Sequence, residues 1–123
     1  MTLARARVFA NKAWHYLANA RKLAREPGGE EKAGEILWGA AVLALKAVAL
    51  VEGRKVGKYS ENSKYVSDLD DRYPGVGIFS TFKELKSLHG QFYELEVTRE
   101  EIEKSLDHAS SWMSFLFEHA GLV

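Results

Sequence analysis

The sequence predicts an all-α protein, an antiparallel up-and-down bundle of four long helices plus one shorter helix, and three observations lead there. Apolar residues recur at spacings of three and four along most of the chain, which is the signature of one face of a helix. No segment alternates apolar and polar residues for the length of a strand. The helical stretches are separated by short glycine and proline turns, which bring consecutive helices back alongside one another. With 123 residues, two prolines, no repeat and no low-complexity segment, the chain fits a single domain spanning 1–123.

The first helix is marked by Ala6, Ala10, Ala13, Leu17, Ala20 and Ala24, one face of a segment running from about Leu3 to Arg25. These side chains are small, so a neighbouring helix can approach closely along them. Arg7, Asn11, His15, Asn19 and Lys22 form a polar stripe on the far side, flanked by Trp14. Pro27-Gly28-Gly29 then ends the helix, because proline lacks the amide hydrogen and glycine accepts left-handed dihedrals.

Glu30 and Glu31 open the second helix, where negative charge suits the helix dipole, and Gly53 closes it after Glu52. From Glu35 to Val51 nearly every face is apolar. Such a helix belongs at the centre of a bundle or in a membrane. The run from Ile36 to Val51 is shorter than the ~20 residues a bilayer requires and contains Lys46, so a core helix is expected and no membrane. Glu35, Gly39, Val42 and Lys46 make a narrow stripe on this cylinder. A mid-helix glycine costs roughly 1 kcal/mol against alanine, so Gly39 predicts close approach by the first helix, a second subunit or a ligand.

Ser60 is a candidate cap for a shorter third helix near Glu61 to Arg72, which stops before Pro74-Gly75-Val76-Gly77. A cap at Ser80 or nearby starts the fourth, whose seam is Ile78, Phe82, Leu85, His89 and Phe92. Thr98 and Glu101 have capping-box spacing at the start of the fifth. Its apolar face is Ile102, Leu106, Ala109, Met113, Leu116 and Ala120, with Gly121 as the stop. Trp14, Trp112 and Phe117 read as exposed, and together with the very apolar second helix they predict a homodimer with Trp14 and Trp112 at its interface.

Charge is balanced overall and uneven in place. Residues 1–25 carry Arg5, Arg7, Lys12, Arg21, Lys22 and Arg25 with no acid, whereas residues 94–118 carry seven acids against Arg99 and Lys104. Pairing of the first and last helices, within a subunit or across a dimer, accounts for this asymmetry. A basic face for RNA phosphates, using Arg5, Arg7, Lys12, His15 and Lys22 and the Arg54 to Lys58 connector, is the alternative.

Chemistry-bearing motifs are sparse. There is no cysteine, hence no disulfide and no thiolate metal site. His108 and His119 are eleven residues apart, which is ~16 Å along a helix, and no histidine and carboxylate set has ligand spacing, so no metal and no cofactor is expected. His89 reads as a core histidine, with an enzymatic site at His89 or His108 the alternative. Gly75-Val76-Gly77 lacks the rest of a phosphate loop, Asp68, Asp70 and Asp71 read as a solvated edge, and no serine stands out as activated. The first residues lack the apolar block of a secretory signal, which makes the cytoplasm the expected location.

The string Gly34-Glu35-Ile36-Leu37-Trp38-Gly39-Ala40-Ala41, followed by Lys46-Ala47, resembles the core of the archaeal PaREP family, with Glu35, Trp38, Gly39 and Lys46 at that family's characteristic positions. That family is in turn similar in helical pattern to HEPN bundles. The resemblance implies one HEPN-like domain that dimerises, and either a ribonuclease or a non-catalytic partner of a small nucleotidyltransferase. HEPN ribonucleases carry an arginine followed by four to six residues and a histidine. Arg7 and His15, like Arg99 and His108, are too far apart for it. The expectation is therefore a non-enzymatic interaction module that homodimerises and binds a protein partner, with RNA or nucleotide binding, or a ribonuclease with a different site, as alternatives.

Overall fold

A computed structural model describes residues 2–89 and 97–123. It contains five helices: α1 (Thr2–Ala24), α2 (Glu30–Glu52), α3 (Tyr59–Arg72), α4 (Ile78–Ser87) and α5 (Arg99–His119). No strand occurs among the described residues. α1, α2 and α5 exceed 20 residues, while α3 and α4 have 14 and 10. Phe92, expected on the seam of the fourth helix, lies outside the described residues, as do Glu94 and Glu96 of the acidic segment.

α2 is the hub. By length and composition its 23 residues could cross a membrane, so the shortfall inferred from the run Ile36 to Val51 does not hold for the whole helix. Much of the helix is nevertheless covered by protein: Ala33, Leu37, Ala40, Ala41, Ala44, Leu45 and Ala47 have no exposed surface. Full burial of a leucine stabilises by roughly 1.5–3 kcal/mol, so Leu37 and Leu45 alone anchor the centre. α1 lays its alanine seam on this cylinder, and Ala6, Ala10, Ala13, Leu17, Ala20 and Ala24 are all buried. Tyr16 of α1 meets Gly39 of α2, and Phe9 meets Lys46.

The α1–α2 turn depends on Gly29. A Cβ there would lie 2.0 Å from the Leu23 carbonyl oxygen, so the last turn of α1 can close on α2 only over a residue without a side chain. At the other end Gly53 adopts the left-handed conformation (φ 67°), and the Arg54 amide donates to the Ala49 carbonyl at 2.8 Å.

The helix starts differ from expectation in two places. α3 begins at Tyr59, and Ser60 is inside it. Glu61 reaches back to accept from the Lys58 amide at 3.0 Å, and Asn62 accepts from the Gly57 amide at 2.9 Å, so an acidic N3 residue substitutes for a hydroxyl cap. α4 begins at Ile78 after a left-handed Gly77, and the Ser80 hydroxyl donates to the Gly77 carbonyl instead of accepting an amide. Thr98 does cap α5, its Oγ1 accepting from the Glu101 amide at 3.1 Å.

α5 closes the core. Ile102, Leu106, Ala109, Met113 and Leu116 are buried, as the apolar spacing predicts, and Ala120 is half-buried. Trp112 and Phe117 are buried too, at 4% and 0% exposure, which corrects their reading as surface aromatics. Trp112 donates its indole N–H to the Ile78 carbonyl at 3.1 Å, and Phe117 packs against Trp14 in a T-shaped pair with ring centroids 5.7 Å apart. α4 packs between α2 and α5, with Phe82 against both Trp38 and Trp112.

A polar network pins α3 to the end of α2. The Tyr65 hydroxyl and the Arg72 guanidinium both donate to the Glu52 carboxylate, Arg54 pairs with Asp68, and the Arg54 guanidinium lies over the Tyr65 ring at 4.9 Å. Burial alone would raise the pKa of Glu52. The hydrogen bonds from Arg72 and Tyr65 and the charges of Arg72 and Arg54 outweigh it and hold the carboxyl below its ordinary range.

Candidate functional site

Glu35, Trp38, Gly39 and Lys46 all lie on α2, and the structure divides them between two neighbours. Gly39 and Lys46 face α1. A Cβ at Gly39 would stand 3.1 Å from two carbons of the Tyr16 ring, so the glycine admits an aromatic side chain of the same chain. Lys46 places Nζ 4.7 Å from the centre of the Phe9 ring, a cation–π contact. Glu35 and Trp38 face the end of α4. The Glu35 carboxylate is 2.8 Å from Nδ1 of His89, and Trp38 lies beside the His89 ring with centroids 6.2 Å apart. His89 is exposed, not a core histidine as its place on the seam suggested. The four positions thus lie where α1 and the segment after α4 meet the hub.

Of the two tryptophans expected at an interface, Trp112 belongs to the core and Trp14 is half-buried against Phe117. The accessible features are instead the outer faces of α1 and α5. On α1, Arg5, Val8, Lys12, His15, Asn19 and Lys22 follow one another at three and four residues, and all are exposed. They form a single stripe because the buried alanine seam on the opposite side fixes how the helix is turned. Val8 is 52% exposed in the midst of these cations, and Arg7 and Arg25 border them.

α5 presents the opposite sign. Glu100, Glu103, Asp107, Ser114 and Glu118 are exposed along one side of it. α1 and α5 are neighbours, and Arg21 pairs with Asp107 at 3.1 Å. Among the described residues this is the one ion pair between the two helices, so the pairing expected from the sequence is realised at one position. Arg5, Arg7, Lys12, Lys22 and Arg25 have no acidic partner within 4.0 Å among the described residues. An exposed pair of this kind contributes about 0–1 kcal/mol, so the two fields are mainly directed outwards.

Sequence reasoning missed one cluster. Glu84 of α4 receives Nδ1 of His108 at 2.9 Å and the Ser105 hydroxyl at 2.8 Å. Ser105 and His108 are three residues apart on α5, so they share a face, but nothing in the chain before α5 signals that Glu84 stands opposite. Ser105 donates to the carboxylate and makes no hydrogen bond to His108 among the described residues. Among the described residues no group of three histidines and carboxylates is placed to hold a metal ion. Asp70, grouped with Asp68 and Asp71 as a solvated edge, accepts from the Phe79 amide at 3.0 Å and so ties the start of α4 to α3.

A family model described as the archaeal PaREP1/PaREP8 family matches residues 8–113. No curated protein and no solved structure matches the chain.

Proposed function

We propose, from the premise that this chain belongs to the archaeal PaREP1/PaREP8 family, that it is a non-enzymatic interaction module which pairs with a second copy of itself. In this reading residues 1–123 form one HEPN-like domain in the cytoplasm. Four helices, α1, α2, α4 and α5, make the up-and-down bundle, with α3 in the connection between α2 and α4. The contact registers support that arrangement. Residues 9 and 16 of α1 meet 46 and 39 of α2, residues 14 and 21 of α1 meet 117 and 107 of α5, and residues 78 and 84 of α4 meet 112 and 108 of α5. In each pair one number rises as the other falls, as neighbouring antiparallel helices require.

The observation that carries the pairing is the charge of the two exposed faces. α1 of one subunit, with Arg5, Lys12 and Lys22 along the stripe that includes Val8, complements α5 of the other, with Glu100, Glu103 and Glu118. Because α1 and α5 are adjacent, a twofold axis makes the contact twice. Opposite faces steer association and set register, and the strength of such pairing falls with salt.

Sedimentation velocity at low and high salt tests this. The expected result is a species of twice the 13.8 kDa chain mass at low salt that moves towards the monomer near 1 M salt, where screening reaches about 3 Å. A monomer at every salt concentration would refute it. The α1 stripe also favours a second reading, binding of RNA phosphates by Arg5, Arg7, Lys12 and Lys22 with His15 beside them. That reading predicts oligonucleotide affinity that falls steeply with salt, and absence of binding at low salt would remove it.

A further inference from the structure

Between α4 and α5 lies a cleft of about 190 Å³ lined by Val76, Thr81, His108, Ser111, Trp112 and Phe115. We infer that it binds a small neutral aromatic molecule carrying one hydrogen-bond donor, of the phenol type, with Nε2 of His108 as the acceptor. The size limits the guest. Drug-sized ligands occupy ~300–1,000 Å³, so this cleft accommodates a single ring system.

The chemistry of the lining selects its character. Val76, Trp112 and Phe115 supply apolar wall, and the indole N–H of Trp112 is already committed to the Ile78 carbonyl, so the ring offers carbon surface only. No lysine, arginine, aspartate or glutamate lines the cleft. A charged guest would therefore lose its hydration without gaining a counter-charge. Thr81 and Ser111 add hydroxyls that make no side-chain hydrogen bond among the described residues, and each can serve a bound polar group.

His108 is set in advance for its role. A carboxylate only accepts, so the contact of Nδ1 with both oxygens of Glu84 places a hydrogen on Nδ1. In the neutral ring Nε2 is then a lone-pair acceptor. Glu84 is itself held by the Ser105 hydroxyl, so the imidazole is oriented by a fixed partner before a guest arrives. No bond is made or broken in this inference, and it does not depend on self-association.

The test is a ¹⁹F NMR titration of the full chain with 4-fluorophenol, and with 4-fluoroanisole as the same ring without a donor. Saturable binding of the phenol is expected, about tenfold tighter than the anisole, the value of roughly one hydrogen bond. His108→Leu should bring the phenol down to the level of the anisole while thermal unfolding stays cooperative. Absence of saturable phenol binding in the millimolar range, or equal binding of the two probes by the native chain, would overturn the inference even if His108→Leu fails to fold. A folded His108→Leu chain that binds the phenol as well as the native one would also overturn it.

Discussion

Tyr65→Phe removes a single oxygen from a fully buried ring and tests whether the Glu52 network fixes α3 to the hub. The lost hydroxyl donates to a carboxylate, and hydrogen bonds to charged groups contribute about 1.5–3 kcal/mol. Glu52 keeps its contacts with Arg72, and its side chain is 30% exposed, so water can replace the lost donor. The expected cost is therefore at or below the low end of that range, about 1–2 kcal/mol, read from urea unfolding monitored by circular dichroism. The alkaline limb gives a second reading of the same contact. Burial first, then the hydrogen bond to Glu52 and its charge, pushes the pKa of the Tyr65 hydroxyl well above the ordinary tyrosine range. A group raised in the folded state stabilises fully below its unfolded value, near ~10, and that contribution is lost as pH rises further. Native protein should thus lose stability above about pH 10 more steeply than Tyr65→Phe. A cost under about 0.5 kcal/mol, or alkaline limbs that run parallel, would refute the network.

Gly29→Ala should cost about 1–3 kcal/mol, because its Cβ would meet backbone at 2.0 Å, whereas Gly39→Ala should stay near neutral. There the obstacle is the Tyr16 ring, which is 41% exposed and can swing outwards, and the gain in helix propensity is about 1 kcal/mol; thermal melts of the two variants compare them directly. Thr98→Ala should cost about 1 kcal/mol and Ser60→Ala almost nothing, since one caps a helix and the other lies within one. Glu52→Gln should flatten the acid limb. The native carboxyl is held below its ordinary range, so its contribution is present above about pH 4.3 and lost as pH falls, and an acid titration followed by circular dichroism would show it.

Much of the fold is legible in the spacing of apolar residues. The alanine seam of α1 and the face of α5 from Ile102 to Leu116 are buried where the pattern places them. The second helix is legible by its excess, because a cylinder apolar on all sides must be covered. What local pattern leaves open is pairing at long range. Trp112 reads as a surface residue until the Ile78 carbonyl is brought 3.1 Å from its indole nitrogen, 34 residues away. Glu84 and His108, or Glu35 and His89, are unremarkable apart and form contacts only once α4 is seated. The caps show the same limit. A hydroxyl at Ser60 or Ser80 is a good candidate locally, but Glu61 and the left-handed Gly77 set those starts. The charge asymmetry of α1 and α5 needs no tertiary information, which is why it is legible in the sequence alone.

Self-association requires that the basic face of α1 and the acidic face of α5 recognise each other between copies. One variant carries Arg5→Glu, Lys12→Glu and Lys22→Glu, and a second carries Glu100→Lys, Glu103→Lys and Glu118→Lys, with Arg21 and Asp107 left intact. Sedimentation equilibrium should find each variant monomeric alone, since its two faces then carry like charge, and a one-to-one complex when they are mixed. Variants that still dimerise separately, or a mixture that stays monomeric, would contradict it.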